Sequence, residues 1–97
     1  MWLKTAEYIK DYIIRVVFED NSVRIIDLKS FIQNSQHPAI KKFLDINLFK
    51  NFKIEFGSLC WEGGQFDISH QAIYRGDFDA KKIKLSKREL KNKETIK

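Results

Sequence analysis

The stretch from Leu59 to Tyr74, Leu-Cys-Trp-Glu-Gly-Gly-Gln-Phe-Asp-Ile-Ser-His-Gln-Ala-Ile-Tyr, constrains the fold more than any other. Gly63-Gly64 predicts a chain reversal between a strand at Leu59-Cys60-Trp61 and another at Gln65-Phe66-Asp67-Ile68. One of those two glycines is expected to need a positive φ, which a branched residue tolerates poorly. Ser69 then predicts the cap of a short helix holding Ala72, Ile73 and Tyr74, with Gly76 just past its end. Trp61 falls where a sheet would meet that helix, and it is expected to anchor the core.

Upstream, the period is that of strands. Thr5 to Ile9 predicts a short first strand. In Tyr12-Ile13-Ile14-Arg15-Val16-Val17-Phe18-Glu19, residues Tyr12, Ile14, Val16 and Phe18 share one face, and Arg15 and Glu19 lie on the other. Asp20-Asn21-Ser22 supplies turn chemistry, since Asn accepts the positive φ of a tight hairpin. Val23 to Leu28 returns as an antiparallel partner with apolar residues on both faces, which implies some cover on the second. From Lys29 the period changes, and Gln33-Asn34-Ser35-Gln36 reads as a loop. Pro38 predicts a helix start, with Ala39, Ile40, Phe43 and Leu44 on one stripe. Asp45 to Phe49 predicts a further turn that lays Leu48 and Phe49 on the sheet. Phe52-Lys53-Ile54-Glu55-Phe56 alternates, with Phe52, Ile54 and Phe56 expected to face the core, and Gly57-Ser58 reads as the turn into Leu59.

Ninety-seven residues support one core, and a 43% apolar fraction supplies it. The fold class is therefore α+β: a small antiparallel sheet built from hairpins, packed with one or two short helices. A single cysteine, Cys60, forms no internal bridge and points to a reducing compartment, the cytoplasm; it is expected to be a small buried residue. No cationic leader precedes an apolar run at Met1-Trp2-Leu3-Lys4, and no hydrophobic span follows, so neither secretion nor membrane insertion is expected.

The net charge of +5 is unevenly spread. Residues 80–97 carry eight basic against two acidic residues, whereas residues 1–79 carry ten against eleven. The chain divides into a nearly neutral body, 1–79, and a basic tail, 80–97, whose composition suits a disordered segment or a short helix opened by Ser86 and Glu89. Lys81, Lys82, Lys84, Lys87, Arg88, Lys91 and Lys93 are candidate phosphate contacts. On a helix they would spread over all sides, so they would bind nucleic acid without reading sequence.

The ordered motifs, the turn at Asp20-Asn21-Ser22, Val23 through Asp27-Leu28, Phe43-Leu44-Asp45 with Asn47-Leu48-Phe49, Trp61-Glu62-Gly63-Gly64, and Asp67-Ile68 ending in Ile73-Tyr74, resemble the bacterial family catalogued as domain of unknown function 2442, over residues 4–76. Two departures are His70-Gln71, where members often have Pro-Glu, and a loop after Gly64 that is one residue longer. The resemblance implies a compact α+β domain and no established activity. It also implies a partner encoded beside it, in an arrangement similar to toxin and antitoxin pairs. Some members continue into a helix-turn-helix, for which the residues after Asp79 here are too few.

No spacing of Cys60, His37, His70 and the acids suits a metal, and no cofactor motif is present, Gly63-Gly64 lacking the rest of a phosphate loop. His70 near Asp67 places an imidazole beside a carboxylate, a pairing that can act as a general base, but Ser69 and Asp67 read as helix-capping residues, and His37 before Pro38 as a loop residue. The expected function is a non-enzymatic protein-interaction module, the antitoxin-like half of a two-protein system. A nucleic-acid-binding accessory protein acting through the tail is the alternative. The partner and the oligomeric state stay open.

Overall fold

The computed structural model describes residues 1–61 and 66–80. Within them the chain forms two antiparallel three-stranded meanders with short helices between and after them, an α+β fold. The first comprises β1 (Leu3–Lys10), β2 (Ile13–Phe18) and β3 (Val23–Asp27). β1 is longer than the Thr5–Ile9 reading, and its register with β2 shifts between Leu3 and Thr5 and between Tyr8 and Lys10. β2 and β3 pair without a shift, from Ile13 opposite Asp27 to Val17 opposite Val23. Their hairpin closes where expected. Asn21 has φ 70°, and the Asp20 carboxylate accepts from the Ser22 amide at 2.9 Å and the Ser22 hydroxyl at 2.5 Å. Ile14, Val16 and Phe18 are fully buried, as their alternation requires, and Ile13 on the opposite face is buried as well.

The second meander comprises β4 (Lys53–Glu55), β5 (Ser58–Trp61) and β6 (Phe66–Ile68). It is a separate sheet, where one was expected. The Leu3 amide donates to the Gly57 carbonyl at 2.9 Å and ties the two together. The β4–β5 turn falls one residue earlier than Gly57-Ser58. Glu55 pairs with Ser58, leaving Phe56 at φ 51° and Gly57 at φ 75° as the two central residues. Two positive values are what a two-residue type I′ hairpin demands. The expectation that Phe56 joins the core is thereby corrected: at the hairpin tip it is 85% exposed, while Phe52 and Ile54 pack against the core.

Three short helices link the sheets. α1 (Lys29–Gln33) occupies a stretch to which the sequence assigned no element, runs one residue into the Gln33–Gln36 loop, and directs Ile32 into the core. α2 (Pro38–Lys41) starts with Pro38 in its first turn, as expected, then tightens into a 3₁₀ turn over Lys42–Leu44. The tightening shifts the phase of the stripe, so Phe43 is buried, Ile40 and Leu44 are half-buried, and Ala39 is exposed. α3 (Ile46–Phe49) is capped by the Asp45 carboxylate, which accepts from the Asn47 amide at 2.9 Å. Phe49 is buried and Leu48 packs on the core edge.

Trp61 is the centre of that core. Fully buried, it stacks on Phe66 with centroids 4.6 Å apart and touches Phe43, Phe49 and Phe52, and its Nε1 donates to the Phe49 carbonyl at 2.5 Å. An indole can be buried at this depth because its one donor has a partner. Cys60 beside it is buried.

α4 (His70–Arg75) ends the domain as its caps predict: the Ser69 hydroxyl accepts from the Ala72 amide at 3.1 Å, and Gly76 is left-handed at φ 96°. The chain then returns along β3. The Asp27 amide donates to the Phe78 carbonyl and the Ala80 amide to the Ile25 carbonyl, both at 2.9 Å, around a bridge between Ile26 and Asp79. Gly63-Gly64 and the basic positions from Lys81 onward lie outside the described residues. Among the described residues, no helix is long and apolar enough to cross a membrane.

Candidate functional site

The return of residues 77–80 along β3 leaves an open cleft of about 930 Å³ between that segment, α1 and the loop before α2. One wall is aromatic. Phe31 projects from α1 because the helix turns Ile32 inward, and it remains 42% exposed. Its ring lies nearly parallel to Phe66 at 5.9 Å and edge-on to Phe78 at 5.5 Å, so it packs on two rings while part of it faces water. Exposing a fixed aromatic in this way leaves apolar area available to a partner.

The other wall is acidic. Asp27, Asp77 and Asp79 line the cleft, and among the described residues no Lys or Arg does. The three carboxylates differ in what already holds them. Asp27 accepts from the Lys29 amide at 3.0 Å, which opens α1 after an N-cap residue, Leu28, that has no side-chain acceptor. Asp77 is gripped by Arg75, with Nε donating at 3.0 Å and Nη2 at 2.5 Å; these bonds hold its carboxyl below the usual aspartate range. Asp79 has an oxygen, Oδ1, that is out of contact with solvent and has no hydrogen-bond partner among the described residues. A buried acceptor of this kind calls for a donor.

Apolar surface beside carboxylates suits a Lys or Arg side chain, whose methylene stem covers the ring while its head meets the acid. Among the described residues no group of three or more His, Cys, Asp or Glu is placed to hold a metal ion.

The residues weighed from sequence lie elsewhere. His70 is the first residue of α4; its amide donates to the Ser58 hydroxyl at 3.0 Å and its ring lies 6.3 Å from that of Trp2. Asp67 is exposed on β6 opposite Cys60, and Ser69 is occupied as a cap. His37 precedes α2 as a loop residue, its amide donating to the Ser35 hydroxyl at 3.1 Å, and it lines the far rim of the cleft. Phe31 and Asp79 were not singled out from sequence, and Asp27 entered only as part of the motif from Val23 to Leu28. The three meet only when residues 77–80 pair with β3.

A second exposed apolar group stands at the other end of the molecule's hairpin tie, where Trp2, 49% exposed, lies over Gly57 beside Phe56. The packing is so close that a Cβ on Gly57 would come within 2.2 Å of the Trp2 Cγ.

A family model described as "Protein of unknown function (DUF2442)" matches residues 3–79. Neither a curated protein nor a solved structure matches the chain.

Proposed function

The chain belongs to the family of proteins of unknown function DUF2442, and from that premise we propose that it is a non-enzymatic protein-interaction module that receives its partner in the cleft beside Phe31. The single observation that carries the reading is a half-exposed phenylalanine, packed on two other rings, that shares one cleft with three aspartates. Such a wall fits a partner segment with a basic side chain next to an apolar one. Aromatic anchors of this kind supply much of the binding energy of protein interfaces. The setting that goes with this reading is the cytoplasm of a bacterium, with the protein as the antitoxin-like half of a two-protein system whose other member is encoded beside it.

The competing reading is a nucleic-acid accessory protein that uses Lys81, Lys82, Lys84, Lys87, Arg88, Lys91 and Lys93. The body offers it no help, because the cleft carries the same sign of charge as phosphate.

Affinity capture from host cells separates the two. The 97-residue chain should retain one protein through salt washes and nuclease treatment. Phe31→Ser should lose it while melting within a few degrees of the parent, and Lys50→Ser, at an exposed position beyond α3, should keep it. Retention that vanishes with nuclease, or that survives Phe31→Ser, would overturn the reading.

A further inference from the structure

The exposed aromatic pair at the tip of the β4–β5 hairpin lies outside the cleft and needs its own account. Phe56 holds φ 51°, a conformation unfavourable to any residue with a Cβ, and it leaves 85% of itself in water, so the fold recovers little through its ring. Backbone strain that packing does not return marks positions kept for function. Beside it Trp2 is 49% exposed, seated so closely on Gly57 that no Cβ fits beneath the indole, with the His70 ring 6.3 Å from its own. We infer that this tip joins two copies of the chain, the Phe56 ring of each resting on the Trp2 indole of the other. No residue that lines the cleft takes part, so the inference stands apart from the reading above.

Shape favours a second copy as the occupant. A two-fold interface sets one patch against itself, so the patch must hold both a projecting group and a surface that receives it. Phe56 projects at the tip, and Trp2 lies over the very next residue as a half-exposed plate. A two-fold axis between them makes both ring contacts at once, and rings so placed attract beyond the area they cover. Charge points the same way. β4 brings its charged side chains to the tip already paired, Lys53 and Glu55 lying 3.2 Å apart, so identical copies meet there without a clash of like charges.

Area sets the strength. Taking about 200 Å² for a whole Phe and about 250 Å² for a Trp, the two residues leave roughly 300 Å² in water on each chain. A stable interface covers about 800 Å² per partner. The dimer is therefore weak and reversible, dissociated at micromolar concentration and formed as concentration rises.

The test is sedimentation equilibrium of the 97-residue chain from micromolar to millimolar concentration, under reducing conditions that keep Cys60 a thiol. The average mass should climb from monomer toward dimer. Phe56→Asn, a residue this turn accepts, should melt no lower than the parent and remain a monomer throughout. Trp2→Ala should weaken association about ten-fold or more, and Phe31→Ser, in the cleft, should associate as the parent does. In a mixture of isotope-enriched and unlabelled chain, filtered NOEs should connect the Phe56 ring of one copy to the Trp2 indole of the other. A chain that stays monomeric to millimolar concentration, association that survives Phe56→Asn or is lost in Phe31→Ser, or intermolecular NOEs confined to another surface would overturn the inference. A monomer whose Phe56 and Trp2 resonances shift on adding phosphatidylcholine–phosphatidylglycerol vesicles would assign the tip to a membrane and overturn it equally.

Discussion

Replacing Phe56 by a smaller, polar residue should stabilise this protein. Phe56 stands at the first central position of the β4–β5 hairpin with φ 51°, and a side chain with a Cβ pays roughly 1–2 kcal/mol to stand in the left-handed region. Asn tolerates that region far better, and Asn-Gly is the preferred pair for this turn. Against the relief stands the covered part of the ring. At 85% exposure, a residue of about 200 Å² keeps roughly 30 Å² from water, worth about 0.8 kcal/mol at 25 cal/mol per Å². The difference leaves Phe56→Asn about 0.5 kcal/mol more stable than the parent, a rise of roughly 2–4 °C in melting temperature for a domain of this size. Phe56→Ala isolates the backbone part, because it sheds the same ring area without Asn's tolerance of positive φ. Thermal and urea unfolding followed by circular dichroism should order the three as Asn, then Phe, then Ala. If Phe56→Asn melts at or below Phe56→Ala, backbone strain is not the governing quantity at this turn. The expected order also implies that the native Phe56 is kept at some cost to stability.

Trp61→Ala should cost about 3–5 kcal/mol and unfold the domain or nearly so; Trp61→Phe, which keeps most of the ring but leaves the Phe49 carbonyl without its donor, should cost about 1–3 kcal/mol, and near-parental melting of either variant would contradict the central role of the indole. Gly57→Ala should destabilise by at least about 1 kcal/mol through its positive φ alone, and the shift it forces on Trp2 should change tryptophan emission. Asp20 is held below its ordinary pKa by the Ser22 hydroxyl first, then the Ser22 amide and the Tyr74 hydroxyl. A lowered folded-state value means stability that is present above the unfolded pKa, near 4, and lost as pH falls through the folded one. Asp20→Asn should therefore flatten the acid limb of the stability curve below about pH 4, and an unchanged acid limb would exclude this group as its source.

Local chemistry was legible wherever one residue type decides a geometry. Asn21 in its turn, Pro38 at a helix start, and Ser69 with Gly76 around α4 each specify a backbone state within a few residues. Trp61 was legible as a core anchor because an indole flanked by strand residues has few other places to go. The misreadings have equally definite causes. α1 lacks a side-chain N-cap and turns only Ile32 inward, so neither caps nor stripe marked it. The hairpin tip was placed one residue late because Phe56 is not turn chemistry; the register of β4 on β5 puts it there regardless. The cleft could not be read at all. Its acids come from the end of β3 and from residues 77 and 79, and they become neighbours only through a bridge between Ile26 and Asp79.

That bridge also differs from the hairpins in the length of chain it closes. Each strand in the two meanders pairs only with the strand before or after it, so every hairpin closes a short loop, on the order of microseconds for each. Contacts of low sequence separation favour rapid folding. The pairing of β3 with residues 78–80 is different, since it spans more than fifty residues and so closes a far longer loop than any of the hairpins. On a ribosome, β3 is complete long before Asp79 emerges. Through that interval its outer edge presents unpaired amides and carbonyls at Ile25 and Asp27, the positions at which an unfinished chain is open to pairing with a neighbour.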